Sequence, residues 1–303
     1  MEERQFTVSA EDAAGRIDKY LALKLGEGYS RTCVKMLIDS GLVLVNGGRV
    51  KASYIASPDD KVVIKMLPAE ASDIEPEDIP LDIIYEDEWL IVVNKPAGMV
   101  VHPAAGNRKG TLVAALLHHC GKLPQTDNEL RPGIVHRLDK DTSGVMVVAK
   151  RARALRSLAK QFQKRAVKKS YTALVKGRLQ MDNGVIEAPL ARHVVDRKKI
   201  DINYAEGKGA RTIYHVVRRF KNATLVRLDL ETGRTHQIRV HMKHLGHPVL
   251  GDAKYGGENS GIDRQALHAE MLGFTHPDTG RYVEFHAPVP EDIKLFIAGI
   301  DKA

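Results

Sequence analysis

Apolar residues recur at helical spacing near the start of the chain. Ile17, Tyr20, Leu21 and Leu25 share one face, and Val34, Leu37 and Ile38 share another. Ser30 is placed to cap the second of these predicted helices, and Gly41 to end it. Residues 43–45 and 62–64 read as short strands, with Asn46-Gly47 as the tight turn after the first. Further along, residues 90–94, 145–149, 171–176, 212–217 and 224–230 read as strands, several with β-branched side chains at alternating positions. Residues 151–166 form an amphipathic helix whose expected buried face carries Ala152, Leu155, Leu158, Ala159, Phe162 and Ala166. Between the two regions, residues 68–80 hold three prolines and five acids, which cannot sustain a core and read as a linker. The pattern predicts an α+β protein in two domains: residues 1–67, with a core at about 14–67, and residues 81–303.

Charge changes this picture by being unevenly spread. Of a net +8, residues 1–67 carry +1, residues 68–88 carry −9 with no basic side chain, and residues 89–303 carry +16. A large basic segment favours a polyanionic partner. The predicted helix at 151–166 concentrates it: Arg151, Arg153, Arg156, Lys160, Lys164 and Arg165 occupy its polar face, and no acid lies between Lys150 and Lys169. Two cysteines, Cys33 and Cys120, are too few for a disulfide framework or a cysteine-rich zinc site. No apolar run approaches the ~20 residues of a membrane span, and the polar, acidic start is no signal peptide. The expectation is a cytoplasmic protein with no membrane association and no obligate protein partner.

Chemistry gathers where charges interrupt apolar runs. Gly133-Ile134-Val135 leads into His136-Arg137-Leu138-Asp139-Lys140-Asp141-Thr142-Ser143-Gly144, and a second apolar run leaves it. Charges in such flanks are costly unless paired, so this knot is an ion-pair network or an active site. Asp139 is its natural nucleophile or base. An Asp139/Asp141 carboxylate pair of the glycosidase kind is a weak rival, because such pairs usually lie on separate elements. His236, His241, His244 and His247 lack an HExxH arrangement and read as core histidines or RNA contacts; no metal site is expected.

Three segments in one order, HRLDKDTSG, KKSYTALVKG and TGRTHQIRVH with the following Gly251-Asp252-Ala-Lys-Tyr255-Gly256, resemble the RluA/RluD family of RNA pseudouridine synthases. The string Arg16-Ile-Asp18-Lys-Tyr-Leu21, then Ser30-Arg31, then the segment 41–47 ending in Asn46-Gly47, resembles the S4 RNA-binding domain. The resemblance implies a catalytic domain on a mostly antiparallel, curved sheet. It implies Asp139 as the catalytic aspartate, Tyr171 as the tyrosine beside the target base, and Arg234 as the arginine paired with the aspartate. Arg137 resembles the residue that fills the displaced base's place, and Ile238 the apolar pocket wall. The reaction so implied breaks the N1–C1′ bond of uridine and rejoins C5 to C1′; being redox-neutral, it calls for no cofactor. Attack at C1′ and removal of the C2′ proton both remain open, and either wants an ionised carboxylate, which a neighbouring arginine favours. Arg16, Arg31, Lys35, Arg49 and Lys51 on the small domain, with Arg156, Lys160 and Lys164 on the basic helix, are the expected RNA contacts. Large-subunit ribosomal RNA, free or in a pre-ribosomal particle, is the expected substrate. Transfer RNA is the alternative, as is a non-catalytic ribosome-assembly factor; the latter has no reason to keep Asp139, Tyr171 and Arg234 together.

Overall fold

The computed structural model describes residues 2–25, 29, 31–66, 74–104, 106–125, 131–256 and 261–301. Internal contacts divide the chain into Met1–Glu75 with Pro124–Gly133, and Pro76–Leu123 with Ile134–Ala303. Ser30 and residues 68–73 of the expected linker lie outside the described residues. The rest of that acidic stretch is not free chain. The Glu77 N–H donates to the Ala114 carbonyl, and the Glu77 carboxylate accepts the Gly110 N–H.

In the smaller unit, β1 (Glu2–Thr7) is followed by α1 (Ile17–Lys24), α2 (Arg31–Asp39), β2 (Val43–Val45), β3 (Gly48–Arg49) and β4 (Lys61–Met66). The strands form one antiparallel sheet in the order β1-β4-β2-β3. The expected helix faces are the buried ones: Ile17, Tyr20, Leu21, Leu25, Val34 and Ile38 close on Val43, Val45, Val62 and Ile64. Asn46 and Gly47 both adopt left-handed conformations, φ 51° and 80°, as a two-residue hairpin turn demands.

The larger unit opens with β5 (Ile83–Glu86), β6 (Leu90–Lys95), α3 (Leu112–Cys120), β7 (Ser143–Ala149) and α4 (Ala152–Gln163). There follow β8 (Lys168–Lys176), β9 (Asn183–Glu187), β10 (Leu190–Arg192), β11 (Ile200–Ile202), β12 (Arg211–Arg219) and β13 (Ala223–Leu230). It ends with α5 (Gln237–His244), β14 (Leu267–Thr275), β15 (Tyr282–His286) and α6 (Glu291–Asp301). Its nine-stranded sheet runs β5-β6-β7-β14-β8-β13-β12-β9, with β15 on β14. Every pairing in it is antiparallel except β7 with β14. Register shifts in β5, β12 and β14 bend the strands.

The parallel junction depends on Gly144. At φ +125° a side chain is disfavoured, and a Cβ there would lie 2.2 Å from the Ala269 carbonyl oxygen. The Asp139 turn ends directly before this junction, so β7 fixes one side of it. Helix α4 packs Ala154 and Leu158 onto Val145, Val147, Leu272 and Phe274. This corrects the expected face: Ala159 and Ala166 are exposed, and Ala154 takes the central position. The helix stops at Gln163, and Arg165 turns left-handed at φ 58°, so Ala166 falls off the helical period. Helix α5 buries Ile238 and Met242 against Ala173, Val175, Leu228 and Leu230. No helix among the described residues is long and apolar enough to cross a membrane.

Candidate active site

Asp139 opens a turn closed by the Thr142 N–H donating to its carbonyl at 3.1 Å. Three side chains, Lys95 and Gln265 buried and Arg264 partly so, hold this turn from outside. Lys95 Nζ donates to the Lys140 carbonyl at 3.0 Å, Arg264 Nη1 to the Asp141 carbonyl at 3.1 Å, and Gln265 Nε2 to Thr142 Oγ1 at 3.2 Å. Fixed backbone and a short side chain leave the Asp139 carboxylate a single direction, into a pocket. That pocket is lined by Arg137, Leu138, Thr142, Tyr171, Leu230, Arg234, His236, Gln237, Ile238, Arg239 and Leu267.

The five expected pocket residues, Asp139, Tyr171, Arg234, Arg137 and Ile238, therefore converge. The expected partner of the carboxylate does not hold. Arg239, in the first turn of α5, donates from Nη1 to Asp139 Oδ2 at 2.9 Å. Arg234 instead lies in the loop before α5, exposed, with Nε donating to the Gly209 carbonyl at 3.3 Å. The difference is where the helix begins. Gln237 is buried and its amide is fully used: Oε1 accepts from Thr232 Oγ1 and the Arg234 N–H, and Nε2 donates to the Arg211 carbonyl and Thr212 Oγ1. That clamp keeps Arg234 on the rim and starts a helix that carries Arg239 inward.

Asp252 completes the arrangement. Its carboxylate takes Nε and Nη2 of Arg239 at 2.7 and 2.8 Å in a two-bond fork. Burial opposes the guanidinium's charge, but the bonds from Asp252 and the charges of Asp252 and Asp139 outweigh it and push its pKa up. Asp252 lies in the Gly251-Asp252 string to which no role was attached. Its signal was a lone carboxylate after a glycine that cannot bear a Cβ: φ is +73°, and the Arg264 carbonyl oxygen would be 2.0 Å away.

Tyr171 is partly buried on β8. Burial first, then the Asp139 charge, pushes its pKa up, so its hydroxyl stays protonated and can donate. His236 Nε2 lies 3.8 Å from Asp139 Oδ2. His241 is a core histidine, bonded to Thr212 Oγ1 and the Ala188 carbonyl. Glu86, His119 and Cys120 bring metal-capable atoms within 4.8 Å of one another, but Lys150 already pairs with the Glu86 carboxylate.

The expected RNA contacts lie on exposed faces. Arg156, Lys160 and Lys164 line the outer side of α4, while Arg151 at its start pairs with Glu88. On the smaller unit Lys35, Arg49 and Lys51 are exposed. Arg16 and Arg31 are half-exposed, and both guanidinia fork onto Asp18, whose side chain is 4 % exposed.

Residues 89–244 match the RNA pseudouridylate synthase family, and residues 15–62 match the S4 domain. An RNA pseudouridine synthase of Bacillus subtilis is 48% identical over 303 residues, spanning 100% of this chain and 99% of the relative. The ribosomal large subunit pseudouridine synthase D of Zymomonas mobilis is 47% identical over 310 residues, with 97% and 96% covered. Among solved structures, human RNA pseudouridylate synthase domain containing 1 aligns with a TM-score of 0.58 at 26% identity, covering 78% of this chain and 98% of that one.

Proposed function

Because the chain belongs to the RNA pseudouridylate synthase family, it is a pseudouridine synthase, an isomerase, and we propose that it acts on specific uridines of large-subunit ribosomal RNA with Asp139 as the catalytic carboxylate. The observation that carries this reading is the Asp139 carboxylate, held by Arg239 at 2.9 Å in a pocket shared with Tyr171 and Ile238. The bond N1–C1′ breaks, the uracil turns, C5–C1′ forms, C5 gives up its proton and N1 takes one up, so the product is an isomer of the substrate and no electron is gained or lost. Asp139 either adds to C1′ or removes the C2′ proton. Both steps start from the ionised carboxylate, which the Arg239 guanidinium stabilises.

To reach the pocket the target base must leave its stack. Ile238 and Leu267 offer it an apolar wall, and the Tyr171 ring a face with a donor hydroxyl. Arg137, exposed at the mouth, suits the space the base vacates. The smaller unit, through Arg16, Arg31, Lys35, Arg49 and Lys51, and α4, through Arg156, Lys160 and Lys164, hold the phosphates of ribosomal RNA, free or in a pre-ribosomal particle in the cytoplasm.

The test has two arms. Asp139→Asn should abolish pseudouridine formation while RNA affinity stays within a few-fold of wild type; isomerisation by that variant would remove Asp139 from the reaction. Carbodiimide–primer extension on RNA from cells with and without the gene should show large-subunit pseudouridines missing. A full ribosomal set with a transfer-RNA pseudouridine missing would move the substrate to transfer RNA.

A further inference from the structure

His236 is the one residue lining the Asp139 pocket that adopts a left-handed backbone, φ 54°, among the described residues. That conformation is uncommon outside glycine, although histidine, asparagine and aspartate adopt it more readily than other residues. The side chain is held by Tyr255, whose hydroxyl lies 2.8 Å from His236 Nδ1. Tyr255 is 3% exposed, and its oxygen already accepts the Ile200 N–H at 2.8 Å. A buried hydroxyl proton needs an acceptor. Among the described residues the acceptor available to it is His236 Nδ1, so Nδ1 carries the lone pair and Nε2 the proton. Nε2 is the nitrogen that faces Asp139 Oδ2 at 3.8 Å.

The surroundings of the ring also disfavour a charge on it. Asp139, Arg239, Lys254 and Asp252 face it; burial dominates, the two acids oppose it, the two bases reinforce it, and the pKa falls to about 4. We propose that Tyr255 is a positioning residue for the isomerisation: it locks His236 in the Nε2–H tautomer, so that the Asp139 oxygen that takes the Arg239 bond also faces a neutral donor. The opposite tautomer would aim a lone pair at the carboxylate. A neutral donor steadies Asp139 without a second ion pair to be broken when the carboxylate reacts. At 3.8 Å the contact is too long for a hydrogen bond in the resting protein, and it is expected to shorten as substrate enters.

The inference rests on Asp139 being the reacting carboxylate. The tautomer itself does not, so the two fail separately: an active Asp139→Asn variant defeats the catalytic reading whatever the imidazole spectra show. The 303-residue chain is probed by long-range ¹H–¹⁵N correlation of its histidine rings, with His236→Asn giving the assignment; asparagine tolerates the left-handed backbone. The wild type should show Nε2–H, and a wild-type Nδ1–H ring overturns the proposal without recourse to any variant. Tyr255→Phe keeps the ring that lies 5.0 Å from the Arg239 guanidinium and removes only the hydroxyl. It should populate the Nδ1–H form and lower kcat about tenfold with KM near wild type, the lower end of the cost of removing a residue that orients a metal-ligating histidine. In a His236→Asn background the same change should cost nothing further. Wild-type kcat in Tyr255→Phe, or an undiminished loss in the His236→Asn background, refutes the lock; the latter would mean that Tyr255 acts through Ile200 or Arg239 instead.

Discussion

Asp139 and Arg239 are 100 residues apart in the chain and meet at 2.9 Å, one leaving a turn before β7 and the other on the first turn of α5. A charge partly buried with its partner costs roughly 3–5 kcal/mol when that partner is removed. Arg239→Met should therefore lower kcat by roughly 10² to 10⁴-fold, with much less effect on RNA affinity. Arg234→Met, on the rim, should leave kcat within a few-fold and act mainly on KM. Single-turnover kinetics with a ribosomal RNA fragment separate the two. The reverse ranking would return Arg234 to the place first expected for it.

Lys95 supports the same carboxylate from behind. It is fully buried, and Nζ donates to the carbonyls of Pro96, Met99 and Lys140 at 2.7, 2.9 and 3.0 Å. Burial drags its pKa down to about 7, against the pull of Asp141 and Asp139 and with the help of Arg264. Lys95→Met keeps the stem and strands three carbonyls, each costing about 1–3 kcal/mol if left unpaired. The expected result is a loss of roughly 3 kcal/mol or more in urea unfolding, together with a fall in kcat that exceeds any change in KM, because the Asp139 turn loosens. Unchanged stability would show that water replaces the ammonium.

These two residues also mark where sequence reasoning stops. The strands were legible because their apolar runs are long, and the pocket because Asp139, Tyr171 and Ile238 sit in segments whose order is distinctive. The partner of Asp139 was not, since Arg234 and Arg239 differ by five positions, and the choice turns on the left-handed His236 and the Gln237 clamp. Lys95 closes an apolar strand and looks like solvated punctuation. Its burial is decided by a carbonyl 45 residues away. The face of α4 slipped for a similar reason: Ala154 and Ala159 are equivalent in composition, and only contact with Phe274 and Val147 selects between them.

Acid should destabilise the protein through its neutral histidines. Burial, with the Lys169 charge adding to it, takes the His136 pKa down to about 3, and burial also lowers His241 and His268. Unfolded histidines take up protons near pH 6.5. Between that pH and the folded value the unfolded chain binds more protons, so stability is complete above about 6.5 and is lost as pH falls, by at most about 1.4 kcal/mol per pH unit for each ring. His136 accepts the Val147 N–H and stacks on Phe162 at 4.6 Å. His136→Gln keeps an acceptor and removes the titration. Its urea midpoint should drop less than the wild type's between pH 7 and pH 5; equal drops would show that His136 is protonated in the folded state.

On the smaller unit, Asp18 is a buried carboxylate beneath two arginines offered to RNA. Its pKa is held down: burial raises it, but the bonds and charges of Arg16 and Arg31 outweigh this. Arg16 Nε and Nη2 reach it at 3.1 and 3.0 Å, and Arg31 Nη2 at 2.9 Å. If the two arginines act only as charge, Asp18→Asn removes a negative group beside a polyanion and should tighten binding. If Asp18 fixes their planes so that the outer edges present a paired fork to phosphate, the same change should weaken binding, since ordering two long side chains then falls to the complex. The expected outcome is the second: a several-fold loss of affinity for a structured ribosomal RNA fragment with the salt slope unchanged, because no cation has been removed. Arg31→Ala should weaken binding and also reduce the salt slope by about one phosphate contact. In both variants kcat at saturating RNA should equal the wild type's, since neither touches the Asp139 pocket. Tighter binding by Asp18→Asn would reduce the pair to unorganised surface charge.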